Sequence, residues 1–417
     1  MSDRHIQHAV YLLQQHKFKE AETILNGLFA QDPTNTDVIG LLCEVKMFQD
    51  KFDQAMALVN NALGLDPSAG HLFYKRARIF IQQDKYDAAE KDLQQAISLN
   101  PFETDNFALL ALLKIERKQF AEALTLADKA LELNSENINA LNARSTALLK
   151  LNRKEESFST IEGALREDPD NAYTHANYGW GLLEKGSHRD ALTHFTEALR
   201  KNPNLELAQR GMAEALKARY ILYRWFLKFS LWMGNLRGKS QWGIIIAFFL
   251  VFRVIRSVSE SNPSLQPYLN PILVLIALFA FSTWIIGPVS NLFLRLNKFG
   301  RHLLTREQIL SANFVGVSAS IALAAGVFYL TLQQPYFLVM GIFGLTMMIP
   351  LSVMLTPSKN KKLLIIYTCA LALTGITGII VGFTGGEVFN NFALAYIIGF
   401  ILFQWFANFL MIRETNR

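Results

Sequence analysis

The serine of "GVSAS" (316–320) is a candidate nucleophile, and a serine attacks a carbonyl only when a neighbouring base takes its proton. A base from a later apolar segment is not available, because the last of the eight histidines is His302. The Gly, Ser and Ala residues of "GVSASIALAAG" are better read as a face for close helix packing. His5, His8 and His16 share a rough helical face, but no Cys, Asp or Glu stands beside them at metal-ligand spacing. No G-x-x-x-x-G-K-[ST] loop and no G-x-G-x-x-G turn is present, which argues against nucleotide hydrolysis. "GFTGGE" (382–387) sits between two apolar runs, where a turn accounts for its glycines. No pair of groups is placed for acid/base work. The chain is therefore read as a non-enzyme, without cofactor or metal.

Two cysteines, Cys43 and Cys369, make no disulfide framework. The N-terminus lacks the apolar core of a signal peptide, so the first half is expected to stay in the cytosol. Residues 1–216 carry 24 Lys and Arg against 31 Asp and Glu, a net of −7. Residues 217–417 carry 17 against 4, a net of +13. The basic half is also the apolar half. That pattern points to a membrane protein with basic loops and away from nucleic acid, which would need Lys and Arg clustered on a polar face.

Prolines at 33, 67, 101, 169 and 203 are spaced by 34 or its double, and Ser135 fills the missing rung. Small residues keep the same period. Ala9, Cys43, Ala77, Ala111, Ser145 and Gly179 form one row; Ala21, Ala55, Ala89, Ala123, Ser157 and Ala191 form a second. Ala62, Ala96, Ala130, Ala164 and Ala198 form a third, with Leu28 departing at its start. Phe18, Phe52, Tyr86 and Phe120 add an aromatic row that lapses to Lys154 and His188. Over residues 2–205 the sequence resembles tetratricopeptide-repeat (TPR) proteins, whose period is 34. The resemblance implies a solenoid of helix pairs with a groove lined by the first helix of each pair, suited to an extended peptide or a helix of a protein partner. Tyr74, Lys75, Arg78, Asn142, Asn177 and Trp180 are the expected groove contacts. Lys75, Arg78 and Asn177 resemble parts of the carboxylate clamp of some family members, but they lie in non-adjacent repeats.

Six apolar segments are expected to cross a bilayer: 241–258, 271–294, 311–332, 335–355, 363–383 and 391–412. The first is the weakest, because Arg253 and Arg256 interrupt it. Six spans place Arg295, Lys298, Arg301, Arg306, Lys359, Lys361, Lys362, Arg413 and Arg417 on the side of the repeats, in line with the positive-inside tendency.

Between the halves runs "RYILYRWFLKFSLWM" (219–233), too charged for the bilayer core and too aromatic for an ordinary soluble surface. On a helix Lys217, Arg224 and Lys228 gather on one side, and Leu222, Phe226, Phe229 and Met233 on another. Residues 205–219 are expected to cap the last repeat. The segment after them is expected to lie in the membrane interface through Arg224, Trp225, Phe226, Lys228, Phe229 and Trp232.

The expected architecture is all-α: six repeats over 1–205, a capping and juxtamembrane helix over 206–240, and a polytopic domain over 241–417. The layout resembles bacterial inner-membrane proteins that fuse cytosolic TPRs to a multi-span domain. That resemblance implies an integral inner-membrane protein with both ends in the cytosol. The expected function is a membrane-anchored scaffold or adaptor that binds a protein or peptide, contacts lipid, or docks onto a membrane complex. A transporter or channel regulated by its repeats is the alternative.

Overall fold

The structure, a computed structural model, describes residues 2–235, 238–295, 300–355 and 361–415. Lys298, Lys359, Arg417 and the side chains of Leu222 and Arg413, read above, lie outside the described residues. Among the described residues every regular element is helical. The chain divides into two compact units, Met1–Gly181 and Leu182–Arg417.

Twelve helices follow the 34-residue period. They are α1 (Ser2–Gln14), α2 (Phe18–Gln31), α3 (Thr36–Phe48), α4 (Phe52–Leu65), α5 (Gly70–Gln82) and α6 (Tyr86–Leu99). Then come α7 (Thr104–Glu116), α8 (Phe120–Leu133), α9 (Ile138–Lys150), α10 (Lys154–Glu167), α11 (Ala172–Lys185) and α12 (His188–Lys201). The small-residue rows are where these helices meet. Ala9, Cys43, Ala77 and Ala111 are fully buried, as are Ala21, Ala55, Ala89, Ala123 and Ala191. A larger side chain there would push neighbouring helices apart.

Both kinds of turn repeat as well. From an even-numbered helix to the next odd one, the side-chain oxygen of Asp32, Asp66, Asn100, Asn134, Asp168 or Asn202 accepts from the backbone N–H two residues on. The acidic or amide residue before each proline rung (Ser135 in the fourth) is thus an Asx turn that stops the helix. From odd to even, His16, Asp50, Asp84, Lys118 and Asn152 stand 34 apart with φ between 57 and 63°. Gly186 holds the sixth such place with φ 96°. Each turn is closed by a 6→1 backbone bond, such as Lys17 N to Leu12 O at 2.9 Å and Gln119 N to Lys114 O at 2.8 Å.

The fifth repeat carries serine in two of the alanine rows. Ser145 and Ser157 are buried with their hydroxyl oxygens 3.0 Å apart. Ser145 Oγ also lies 3.0 Å from the Ser157 carbonyl, and Ser157 Oγ donates to the Ser145 carbonyl at 2.8 Å. The two departures satisfy each other. Ser145→Ala alone removes one partner of a buried pair and is expected to destabilise by about 1–2 kcal/mol. The double change to alanine restores the common residue and is expected to lie within about 0.5 kcal/mol of the parent. A urea-denaturation double-mutant cycle checks this; additive single changes would refute the coupling.

In the second unit, α12 is followed by α13 (Glu206–Lys217) and α14 (Ile221–Asn235), with a break at 218–220. Gly211 lets α13 approach α12: a Cβ there would lie 2.2 Å from the Phe195 ring, which is itself fully buried. Next come α15 (Gly238–Ser261), α16 (Gln266–Arg295), a 3-10 turn (Gly300–Leu303), α17 (Arg306–Leu332), α18 (Pro335–Val353), α19 (Lys361–Gly385) and α20 (Asn391–Thr415).

Among the described residues four helices are long and apolar enough to cross a membrane: Gln266–Thr283 within α16, then α17, α18 and α19. In α20 the described apolar stretch, Asn391–Ala407, is shorter. α15, which holds the expected 241–258 segment, is not among the four. Its Arg256 pairs with Glu260 one turn on, at 2.8 Å. The serine of "GVSAS" has a packing role: Ser318, buried on α17, donates to the Gly344 carbonyl of α18 at 2.7 Å. A Cβ on Gly344 would come within 2.9 Å of α17 backbone, so this pair depends on close approach.

Candidate protein-binding surface

The odd-numbered helices of neighbouring repeats touch one another, as in α1–α3, α3–α5 and α7–α9. In repeat stacks the helices that touch side by side form the inner layer, and their outward side chains are the candidate groove surface. The structure gathers the six expected groove residues into two groups on either side of α7.

The first group is ionic. Lys75 and Arg78 on α5 both reach Glu44 on α3, at 3.2 and 3.0 Å. The Arg78 guanidinium lies 6.0 Å from the centre of the Tyr74 ring, near enough for a cation–π contact. Glu44 was not singled out by sequence, although it stands one period before Arg78 and so occupies the same place on the preceding helix. Burial pushes its carboxyl up, but Lys75 and Arg78 outweigh that and hold it below the ordinary value of 4.5. Burial raises the Tyr74 hydroxyl. The net charge of the trio is +1, so it offers a cationic, aromatic-backed spot.

A carboxyl whose pKa is depressed on folding stabilises the fold above its unfolded value and loses that contribution as pH falls through the folded value. The Glu44 contribution should therefore be full above about pH 4.5 and fade below it. Glu44→Gln is expected to flatten the acid limb of stability against pH. Urea midpoints between about pH 3 and 6 would read it, and an unchanged limb would count against the ion-pair account.

The second group is a chain of amides. Asn177 on α11 donates to the Asn142 side-chain oxygen at 2.9 Å. Asn142 on α9 donates to Thr174 Oγ1 at 2.8 Å and to the Ile138 carbonyl at 2.9 Å. Asn142 is fully buried, so it ties α9 to α11 and offers no atom to the groove. Asn177 and Trp180 remain half-buried, and Tyr173 beside them is exposed and bonded to Asn177. Lys75 and Arg78 are thus apart from Asn177, with two repeats, α7/α8 and α9/α10, between them.

The juxtamembrane residues divide by face. Trp225 and Trp232 are 76% and 51% exposed and follow Ile221 at helical spacing. Opposite them, Tyr223 and Leu227 are buried. Phe226 is half-buried beside Tyr223, with ring centres 5.8 Å apart. Phe229 meets Phe279 of α16 edge to face at 5.3 Å. The basic side is largely occupied by protein. Lys217 is buried, bonded to Glu214 at 3.1 Å and set 5.7 Å from the Tyr223 ring. Arg224 donates to the Ala218 carbonyl at 3.1 Å, and the exposed Lys228 lays its stem along Gly186. Burial, then the charge of Glu214, raises the Tyr223 hydroxyl well above its usual range. The outward face of Ile221, Trp225 and Trp232 lies between the basic side and the aromatic side read from sequence spacing. Among the described residues no three His, Cys, Asp or Glu gather as a metal site.

Three tetratricopeptide-repeat family models match the chain, over residues 12–79, 70–103 and 109–172. Similar solved structures include YrrB, described as a TPR protein with an unusual peptide-binding site. It is 20% identical over 45% of this chain and 96% of its own, with a TM-score of 0.33. PilF of Pseudomonas aeruginosa is 20% identical over 51% and 97%, at 0.41. A tetratricopeptide repeat protein of Parabacteroides merdae is 16% identical over 57% and 94%, at 0.42. No curated protein sequence matches the chain significantly. The N-terminal part of the chain carries tetratricopeptide repeats, an all-helical fold for protein interaction.

Proposed function

We propose that the chain is a membrane-anchored adaptor whose repeats hold a protein or peptide partner and whose C-terminal helices fix it in a bilayer. The observation that carries this reading is the outward surface of those helices. Leu275, Leu323, Leu330, Ile366, Leu373 and Trp405 are between 65 and 76% exposed. Rows of large apolar side chains on helices of this length suit acyl chains as their surroundings. The reading includes α15 and α20 as further spans, giving six, with the repeats and the C-terminus in the cytosol of a bacterial cell. The exposed stripe of Ile221, Trp225 and Trp232 then faces lipid, starting from the headgroup boundary near Ile221.

The groove would take a partner with a carboxylate or acidic face at Tyr74, Lys75 and Arg78, and polar contacts at Asn177 and Trp180. Co-purification of the full chain from native membranes, followed by mass spectrometry, tests the reading. A partner that is retained by the parent and lost on Tyr74→Ala supports it. Release of the chain from membranes by alkaline carbonate would overturn the anchor.

One observation favours a second reading, a transporter or channel. Asn291 Oδ1 on α16 and Thr368 Oγ1 on α19 are buried polar atoms without a hydrogen-bond partner. Unsatisfied polar groups at membrane depth are costly and are often functional. Solute flux in proteoliposomes that falls on Asn291→Leu or Thr368→Val would favour this alternative.

A further inference from the structure

α14 and α16 do not close fully on each other. Between them runs a groove of about 390 Å³, lined by Tyr220 from the break before α14, by Ile221 and Tyr223 of α14, and by residues within 282–293 of α16. Its volume is at the lower end of the range for ligand sites. Its rim residues Tyr220, Ile221 and Phe293 are exposed, and its floor residues Tyr223 and Ser290 are buried. The floor is apolar in effect because its hydroxyls are turned to other partners. Tyr223 donates to Glu214, and Ser290 donates to the Gly287 carbonyl at 2.7 Å.

Two further features select the occupant. Residues 282–293 rise about 17 Å along a helix, close to the ~15 Å depth of one leaflet of hydrocarbon. At one end the Tyr220 and Phe293 rings stand 5.2 Å apart, and each is followed or preceded within two residues by an exposed cation, Arg219 or Arg295. Arg295 donates to the neutral side-chain oxygen of Asn313, which leaves its charge uncompensated by that contact.

We propose that this groove seats one acyl chain of an anionic phospholipid, with its phosphate between Arg219 and Arg295. The proposal rests on the reading that α16 spans the bilayer. The lipid would lie against α14 and Tyr223, whose hydroxyl meets Glu214 of α13, so its occupancy would set how firmly α14 is held to the span. A chain in a groove differs from ordinary solvating lipid by its residence, because it exchanges tail contacts on two helices at once.

The test uses the full chain in vesicles containing phosphatidylglycerol that carries a photoreactive diazirine near the middle of one acyl chain. Adducts are mapped by proteolysis and mass spectrometry. Labelling concentrated on 282–293 and on α14 is expected, reduced about tenfold by Val289→Trp or by Ser282→Phe, which fill the groove at different points. Labelling of α17 and α19 should not change, and this also shows that the variants are folded. Replacing the probe by its phosphatidylcholine counterpart, or Arg219 and Arg295 by glutamate, should lower labelling about fivefold. Labels spread evenly over all the apolar helices, or unaffected by both fillings, would overturn the proposal. Crosslinks from the groove to a second copy of the chain would overturn it too. Absence of label from every helix, with extraction by carbonate, would instead mark failure of the membrane reading itself.

Discussion

Gly211→Ala is expected to destabilise the second unit by about 1–3 kcal/mol, although alanine is the better helix former. The added methyl would lie 2.2 Å from two carbons of the Phe195 ring, and that ring is fully buried. A ring enclosed on all sides cannot give way without disturbing its neighbours, so the strain is expected to push α13 away from α12. Thermal unfolding of the full chain in detergent, followed by circular dichroism, would show a lowered midpoint. Shrinking the ring with Phe195→Leu in the Gly211→Ala background should return much of the loss. If Gly211→Ala proves neutral or stabilising, the close approach of α13 to α12 is not what the glycine serves.

Reversing Arg78 to glutamate is expected to cost at least tenfold in recovery of a groove-bound partner. The substitution would set two carboxylates against each other on α3 and α5, where Arg78 now meets Glu44 at 3.0 Å. Loss of a central cation in a desolvated contact is worth about 2 kcal/mol or more, well beyond a tenfold change. Arg78→Lys keeps the charge but not the planar fork and should fall between parent and reversal. Quantitative mass spectrometry of material co-purified with each variant would read the series. An equal loss with Arg189→Glu, on α12 outside the groove, would show that net charge alone was responsible.

The solenoid was legible because helix packing acts on residue size, and size is visible in residue type. Ala55, Ala89 and Ala123 had to be small, and they are buried where the period put them. The turns were only half legible. The Asx turns show as Asp or Asn before proline, whereas the left-handed places are filled by His16, Asp50, Asp84, Lys118 and Asn152. Asp, Asn and His are the non-glycine residues that favour this conformation, but Lys118 breaks the row, so the signal is weaker than that of the alanines.

The candidate surface was less legible for a related reason. Repeat position says which side of a helix a residue occupies, but not whether its polar atoms are already engaged. Asn142 lies on an inner helix, yet both amide donors and its acceptor are consumed between α9 and α11. Glu44 was not among the expected groove contacts, although it stands one period before Arg78 and pairs with both cations. At the end of α13 and on α14 the charges of Lys217 and Arg224 suggested headgroups. Glu214 and the Ala218 carbonyl take them up instead, and the tryptophans face outward.

The left-handed residues at the odd-to-even turns also bear on how far the array can flex. A non-glycine residue in that conformation costs about 1–2 kcal/mol, and glycine recovers part of it against a larger entropy of the unfolded chain. Glycine at positions 16, 50, 84, 118 and 152 should therefore add about 0.5 kcal/mol each, or a few kcal/mol together. Only the sixth turn, at Gly186, has that residue. Five of the six hinges between paired helices thus work against a standing local strain. Such an array would be easier to open one pair at a time, and an incoming partner could reshape its groove at little cost.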